Sequence, residues 1–241
     1  MKKKKKLYEG KAKILYETDV ANVMIQEFKD DATAFNGKKT GRIKNKGYVN
    51  NQVSAHLFRF LSGYYIDTHF IDVLSENTMA VKRLDMIPVE VVVRNVAAGS
   101  LLKRSDYKEG EELKVPLVEY FLKDDAKGDP MLTPEEIIEQ SLCTEKDLRM
   151  MKNLAIKINA VLKLFFSRRN IKLVDFKLEF GWDEEGKIVL GDEISPDTCR
   201  FWEEGSGEKL DKDRFRFDLG DVEKAYEEIR RRVFLEETAE A

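Results

Sequence analysis

The chain has 241 residues, 42% of them hydrophobic and 36% charged, and its 42 basic and 45 acidic residues leave a net charge of −3. This length holds one large core or two tightly joined lobes, and the slightly acidic balance gives no electrostatic footprint for nucleic acid. No apolar run approaches the roughly 18 residues of a membrane span, and two cysteines, Cys143 and Cys199, are too few for a disulfide framework or a zinc site, so they read as reduced thiols of a cytoplasmic protein.

No apolar segment follows the Lys2–Lys6 run, so it reads as a solvated, frayed terminus and not as a signal peptide. Leu7-Tyr8-Glu9-Gly10-Lys11-Ala12-Lys13-Ile14-Leu15-Tyr16 places apolar residues on both sides of a basic turn. This predicts two strands, with Gly10 letting backbone amides approach an anion and Lys11 and Lys13 adding charge. The spacing is not that of a P-loop. Val23–Phe28 reads as a strand, and the polar stretch Lys29–Lys46 as a mobile loop over a site. From about Asn50 the stripe Val53, His56/Leu57, Phe60 and Leu61 predicts a helix with His56 packed in the core. His69 falls in a strand, with no partner motif.

Met79–Asn95 reads as strand, linker, strand. Pro88 is a break, so the boundary between two lobes falls near Asp85–Pro88. After Arg94 comes a loop of small residues ending at Ser100. This is either an anion cradle built from Arg94 and Ser100, or a helix cap beside a surface arginine. Residues 104–130 are polar and turn-rich, with Phe121–Asp125 and Gly128-Asp129-Pro130 as candidate loop ligands. Thr133-Pro134-Glu135-Glu136 is a capping box that starts one helix. Thr144–Asp147 starts another, amphipathic to about Arg169. A last helix, capped by Asp221, follows the mixed-charge loop Asp211–Arg216, and the acidic tail from Glu236 reads as disordered.

The most informative stretch is Leu173–Trp202. Val174, Phe176, Leu178 and Phe180 alternate with Asp175, Lys177 and Glu179, so one strand face is apolar and the other charged. A second run, Lys187–Ile194, follows a turn. A two-residue turn at Glu185-Gly186 sets Glu179 opposite Asp192 on one face, a four-residue loop keeps them on a shared face, and a three-residue loop separates them. Paired carboxylates repel unless a cation or a proton lies between them, and a divalent magnesium ion commonly takes one or two carboxylates together with phosphate oxygens. Lys177 adds a point charge suited to phosphate.

Five segments, LYEGKAK at 7–13, KRLDMIPVEVVVRN and AAGS at 82–100, LVDFKLEFG at 173–181, GDEISPDTCR at 191–200 and DKDRFR at 211–216, resemble the SAICAR synthetase family, in its short stand-alone bacterial form. The resemblance implies an α+β fold related to ATP-grasp enzymes, with mainly antiparallel sheets in two lobes, residues 1–85 and 86–241, and ATP in the cleft between them. It implies a ligase of purine biosynthesis that joins L-aspartate to the carboxylate of the imidazole nucleotide CAIR through an acyl phosphate, and a homodimer. It assigns Gly10, Lys11, Ala12 and Lys13 to the ATP phosphates, Lys123 to a further nucleotide contact, and the linker with Val81, Lys82, Leu84 and Met86 to the adenine. Glu179 and Asp192 are implied to hold magnesium. Arg94, Ser100 and Arg200 are implied for the CAIR phosphate and ribose, Lys177 and Asp197 for the reacting carboxylate and imidazole, with Asp129 and Asp175 nearby. Lys212 and Arg216 are implied for aspartate. A small-molecule kinase would use the same lysines and carboxylates, but would pass phosphate to a hydroxyl and ignore aspartate. A nucleic-acid binder would have only Lys2–Lys6 to offer.

Overall fold

A computed structural model describes residues 1–35, 37–124 and 126–235. Asp125 and the tail from Glu236 lie outside the described residues. The chain opens with three antiparallel strands, β1 (Lys3–Glu9), β2 (Lys13–Thr18) and β3 (Val23–Phe28). A two-stranded ribbon of β4 (Asp31–Ala34) and β5 (Lys39–Arg42) leads into helix α1 (Lys46–Ser62). Strands β6 (Phe70–Ser75) and β7 (Thr78–Lys82) complete a five-stranded sheet ordered β1-β2-β3-β7-β6.

The second sheet begins with β8 (Asp85–Val96), β9 (Glu112–Leu122) and β10 (Met131–Leu132). Helices α2 (Pro134–Glu139) and α3 (Glu145–Ser167) follow, each opened by the expected capping box, at Thr133 and Thr144. Then come β11 (Ile171–Trp182), β12 (Ile188–Leu190), β13 (Cys199–Glu203), the single turn α4 (Asp213–Arg216) and α5 (Val222–Phe234). The order is β10-β9-β8-β11-β12, with β13 also paired to β11. The fold is α+β with antiparallel sheets.

Strand alternation decides what this second sheet does. Val89, Val91 and Val93 on β8 and Phe176, Leu178 and Phe180 on β11 are all buried, at about 1.5–3 kcal/mol for each large side chain. They pack against Met151, Ala155, Ile158 and Leu162 of α3. The intervening residues, Glu90, Val92 and Arg94 with Asp175, Lys177 and Glu179, therefore face the other way, and they line the cavities described below. The two sheets meet in one continuous apolar cluster that includes Phe28 and Val81 from the first and Val91 and Phe176 from the second. The chain passes from one sheet to the other between Lys82 and Asp85, yet α5 returns to pack on α1.

Several local expectations need correction. Lys3–Lys6 belong to an edge strand and are not frayed; their exposed charges suit an edge that must not pair further. The stretch 29–46 is not a bare loop, since it contains β4, β5 and the start of α1. That helix begins before the apolar stripe because Asp30 accepts the Gly47 N–H at 3.0 Å. A Cβ on Gly47 would lie 2.7 Å from the Phe28 carbonyl, so only glycine lets the helix start so close to β3. Pro88 does not interrupt β8. It lies at the register shift between Glu179 and Gly181 of the partner strand, where a missing N–H costs the ladder nothing. Residues 104–130 contain the eleven-residue strand β9. Asp221 sits at the start of α5 in a left-handed conformation without capping it, and its carboxylate pairs with Lys224 instead.

Candidate active site

Three adjoining cavities run along the junction of the two sheets. One, of about 500 Å³, is lined by Leu15, Met24, Val81, Leu84 and Met86 with Gln26, His69 and Lys82. It shares Tyr8, Lys13, Met86, Lys123, Glu179 and Asp192 with a central cleft of about 760 Å³. The cleft in turn shares Glu90, Asp129, Lys177, Asp197, Thr198 and Lys212 with a third cavity of about 320 Å³, which adds Arg94, Ser100, Asp175, Arg200 and Arg216. All the residues that the resemblance assigns to the site line this path: Gly10, Lys11 and Ala12 in the cleft, Val81, Lys82 and Leu84 in the apolar cavity, and the remainder as just named. Of the candidate loop ligands, Leu122, Gly128 and Pro130 do not.

Glu179 and Asp192 come together by a route other than the expected hairpin register. Trp182 pairs with Ile188 and Phe180 with Leu190, so the connection spans five residues and Glu179 faces Gly191. An odd-length loop should put Asp192 on the wrong face. It does not, because β12 ends at Leu190 and Asp192 turns out in a left-handed conformation, φ 58°. The segment 191–198 leaves the edge of β11 between the stretches held by β12 and β13. It stays tied there by Gly191 N–H to Glu179 C=O at 2.9 Å and Lys177 N–H to Thr198 C=O at 2.9 Å. Asp192, Glu193 and Asp197 are thereby delivered opposite Lys177 and Glu179.

Glu90, Glu179, Asp192 and Glu193 each have a lysine beside them. Lys13 pairs with Asp192 and, at 2.8 Å, with Glu193. Lys123 pairs with Glu179, and Lys177 lies 2.6 Å from Glu90 and 3.3 Å from Glu179. Burial works to discharge the Lys177 ammonium, but Glu179, Glu90 and Asp192 outweigh it and hold its pKa well above the ordinary lysine value. Lys13 behaves likewise between Asp192 and Glu193. Burial would raise the Asp192 carboxyl, yet the charges of Lys13, Lys177 and Lys123 hold it well below its ordinary range. These groups are fixed charges at neutral pH and not proton shuttles. Among the described residues no cluster of three or more acidic, histidine or cysteine side chains forms a ready metal cage. Glu179 and Asp192 line the same cleft, and two such carboxylates would suit a magnesium ion that also takes phosphate oxygens. The Gly10 amide is spent within its own turn, donating to Lys13 C=O at 2.8 Å, so it is not a free phosphate donor.

In the third cavity Arg94 is a buried hub and not a surface arginine. It donates to Glu119 at 2.6 Å, to Asp175 at 2.9 Å, to Ser100 Oγ at 2.9 Å and to Ala98 C=O at 3.4 Å, which leaves one of a guanidinium's five N–H groups for a ligand. Arg200 pairs with Asp175 and, at 2.8 Å, with Asp213. Its guanidinium lies flat on Gly99, where a Cβ would stand 2.6 Å from Nη2, so the glycine admits it. Sequence reasoning missed Lys46, Glu90, Glu193 and Tyr226. Glu90 was legible, being on the same strand face as Arg94. Lys46 and Tyr226 carried no local signal.

His69, at the edge of the apolar cavity, is buried with Nε2 unpartnered. Burial pushes its imidazole down to about 4, so the folded chain keeps it neutral. The unfolded chain protonates it near pH 6.5, so stability should fall as pH drops from about 6.5 towards 4, by up to about 1.4 kcal/mol per unit from this group. Urea unfolding at pH 7.5 and 5 should show a smaller acid loss in His69→Gln than in the parent chain. Equal losses would assign the effect elsewhere, for example to His56.

The SAICAR synthetase family model matches residues 6–233. The chain belongs to the SAICAR synthetase family. It is 54% identical to the phosphoribosylaminoimidazole-succinocarboxamide synthase of Chloroherpeton thalassium, over 97% of this chain and 99% of that one. It is 55% identical to that of Pelodictyon phaeoclathratiforme, over 97% and 98%. Among solved structures, the Ehrlichia chaffeensis synthase superposes with a TM-score of 0.93 at 44% identity, covering 95% of this chain and 98% of that one. A SAICAR synthetase in complex with ADP superposes with a TM-score of 0.93 at 48% identity, covering 97% and 99%. The chain is thus an ATP-dependent ligase of purine biosynthesis, and the kinase alternative is not favoured.

Proposed function

We propose that this chain joins L-aspartate to the carboxylate of CAIR at the expense of ATP, in the cytoplasm and as a homodimer, with residues 1–85 supplying most of the nucleotide site and 86–241 most of the acceptor site. The observation that carries this reading is the continuous path from an apolar cavity, through a lysine- and carboxylate-lined cleft, to an arginine-lined pocket. Adenine suits Val81, Leu84 and Met86, with Lys82 at the rim. The phosphates suit the basic turn at Gly10, Lys11, Ala12 and Lys13, together with Lys123. Glu179 and Asp192 would hold magnesium, which supplies charge neutralisation for the transferring phosphoryl group. Ser100, Arg200 and the remaining N–H of Arg94 suit a phosphorylated ribose, because a fork of N–H donors matches phosphate oxygens.

A carboxylate is a poor acyl donor, so the reaction needs a leaving group. A CAIR carboxylate oxygen takes the terminal phosphoryl of ATP, and ADP leaves. The aspartate amine then attacks the acyl carbon, the C–O bond to phosphate breaks, and the amine gives up its proton as phosphate departs. The chain's part is positioning and charge. Lys177, held charged between Glu90 and Glu179, faces the acceptor carboxylate and the phosphoryl oxygens it gains. Asp129 and Asp175 border the imidazole, with Asp175 also orienting Arg94 and Arg200. Asp197 anchors the aspartate-binding side, where Lys212 and Arg216 face the cavity. Two buried free thiols, Cys143 and Cys199, are in keeping with a reducing compartment. The test is ADP release from ATP, magnesium and CAIR with and without L-aspartate, with mass analysis of the product. Aspartate-dependent release and a product carrying an added aspartyl group are expected. Release that ignores aspartate and leaves a stable phosphorylated product would support a kinase instead.

A further inference from the structure

Helix α1 carries a polar stripe, Lys46, Asn50 and Ser54, and all three are fully buried. Their four-residue spacing puts them on one helix face. That face meets the 191–198 loop. Ser54 Oγ donates to Ile194 C=O at 3.1 Å, and Lys46 Nζ donates to Asp197 Oδ2 at 2.8 Å. From α5, the buried Tyr226 hydroxyl donates to Asp197 Oδ1 at 2.6 Å. Neither Lys46 nor Tyr226 lines the three cavities. Asp197 therefore has both oxygens engaged from the interior, by residues contributed from opposite ends of the chain.

Lys212 does line the cavity, and it reaches the same Oδ2 only at 3.5 Å. Two ammonium groups thus share one carboxylate, and the inner one holds the shorter contact. Burying an ammonium is costly unless a carboxylate offsets it, and Asp197 already serves Lys46. Burial lowers the Lys212 pKa, Asp197 works against that, and the charges of Lys46 and Arg216 add to the lowering. A further anion at the cavity end of Lys212 would relieve this surplus of positive charge.

We propose that Lys46 and Tyr226 are positioning residues for the amino-acid substrate: by saturating Asp197 from behind, they leave the Lys212 charge for a carboxylate of the incoming amino acid. The proposal rests on the reading that aspartate is a substrate. It predicts an effect on one substrate alone. In Lys46→Met the Asp197 carboxylate turns to Lys212, and in Tyr226→Phe it loses one donor while the ring packing is kept.

The experiment is steady-state kinetics of the full chain with each of the three substrates varied in turn, alongside ADP titration as a check of folding. Lys46→Met should raise KM for L-aspartate about tenfold, and Tyr226→Phe about threefold, with KM for ATP and CAIR and the ADP affinity within about twofold of the parent. An unchanged aspartate KM in folded variants would overturn the proposal, and so would a parallel rise in all three KM values, which marks general distortion of the loop. Should Lys46→Met fail to fold, Tyr226→Phe decides by the same criterion. If the parent chain turns over without aspartate, the functional reading itself fails, an outcome the parent measurement separates from failure of the clamp.

Discussion

Glu179→Gln is expected to lower turnover by about 10²–10³-fold, the scale seen when a charge-stabilising group aimed at a transition state is removed, while the chain keeps its fold. The substitution preserves shape and removes one negative charge from a buried position. Its two lysine neighbours are not stranded by the change. Lys177 keeps Glu90 at 2.6 Å, and the side chain of Lys123 is 43% exposed, so it can turn to water. The folding cost should therefore stay near 1–3 kcal/mol, roughly that of one disturbed buried polar contact. The catalytic cost is larger because, on the function proposed above, Glu179 is one of the two carboxylates that would hold magnesium at the nucleotide phosphates, and its charge sets the field around Lys123 and Lys177. The measurement is turnover across a magnesium titration, with ADP affinity in the presence and absence of the metal. A variant that keeps near-parental turnover at low magnesium would remove Glu179 from the metal and phosphoryl site.

Arg94→Met should act on stability first, destabilising by about 3 kcal/mol, the lower end of the range for breaking a buried ion pair. The guanidinium lies between Glu119 and Asp175, both almost wholly buried. Each carboxylate retains a second arginine, Arg104 for Glu119 and Arg200 for Asp175, and this limits the penalty. Ser100 loses the donor that orients it, so affinity for a phosphorylated ribose should fall as well. Urea unfolding followed by tryptophan fluorescence would check the first claim, and a loss below about 1 kcal/mol, the scale of an exposed pair, would contradict the account of Arg94 as a buried hub.

The contrast between Arg94 and Glu179 illustrates how far the sequence could be read. Alternation along Val174–Phe180 identified the charged face of β11, because a strand with one face in a core leaves no choice for the other. The capping boxes at Thr133 and Thr144 placed two helix starts, since their chemistry is local. The register of the 183–187 turn was not legible. It depends on a left-handed residue at Asp192 and on where β13 takes over the edge of β11 from β12, both set by tertiary contacts. The engagement of Arg94 was hidden for a similar reason: Glu119 comes from a strand whose polar sequence reads as loop. The Lys46–Asp197–Tyr226 cluster joins positions up to 180 residues apart, counting from 46 to 226, and no local pattern announces it. Pro88 misled because a proline inside a strand is tolerated at a bulge, and β8 bulges there, running four residues from Met86 to Glu90 while β11 runs two from Gly181 to Glu179.

The central claim is that a carboxylate is activated by phosphorylation before the amine attacks. It is tested most directly with CAIR labelled with ¹⁸O in its carboxylate, turned over with ATP, magnesium and L-aspartate. Phosphorylation of that carboxylate makes one of its oxygens the bridge to phosphorus, and cleavage of the C–O bond leaves this oxygen on phosphate. The account predicts one ¹⁸O in the inorganic phosphate for each aspartyl product formed. Unlabelled phosphate accompanying the same product would contradict it.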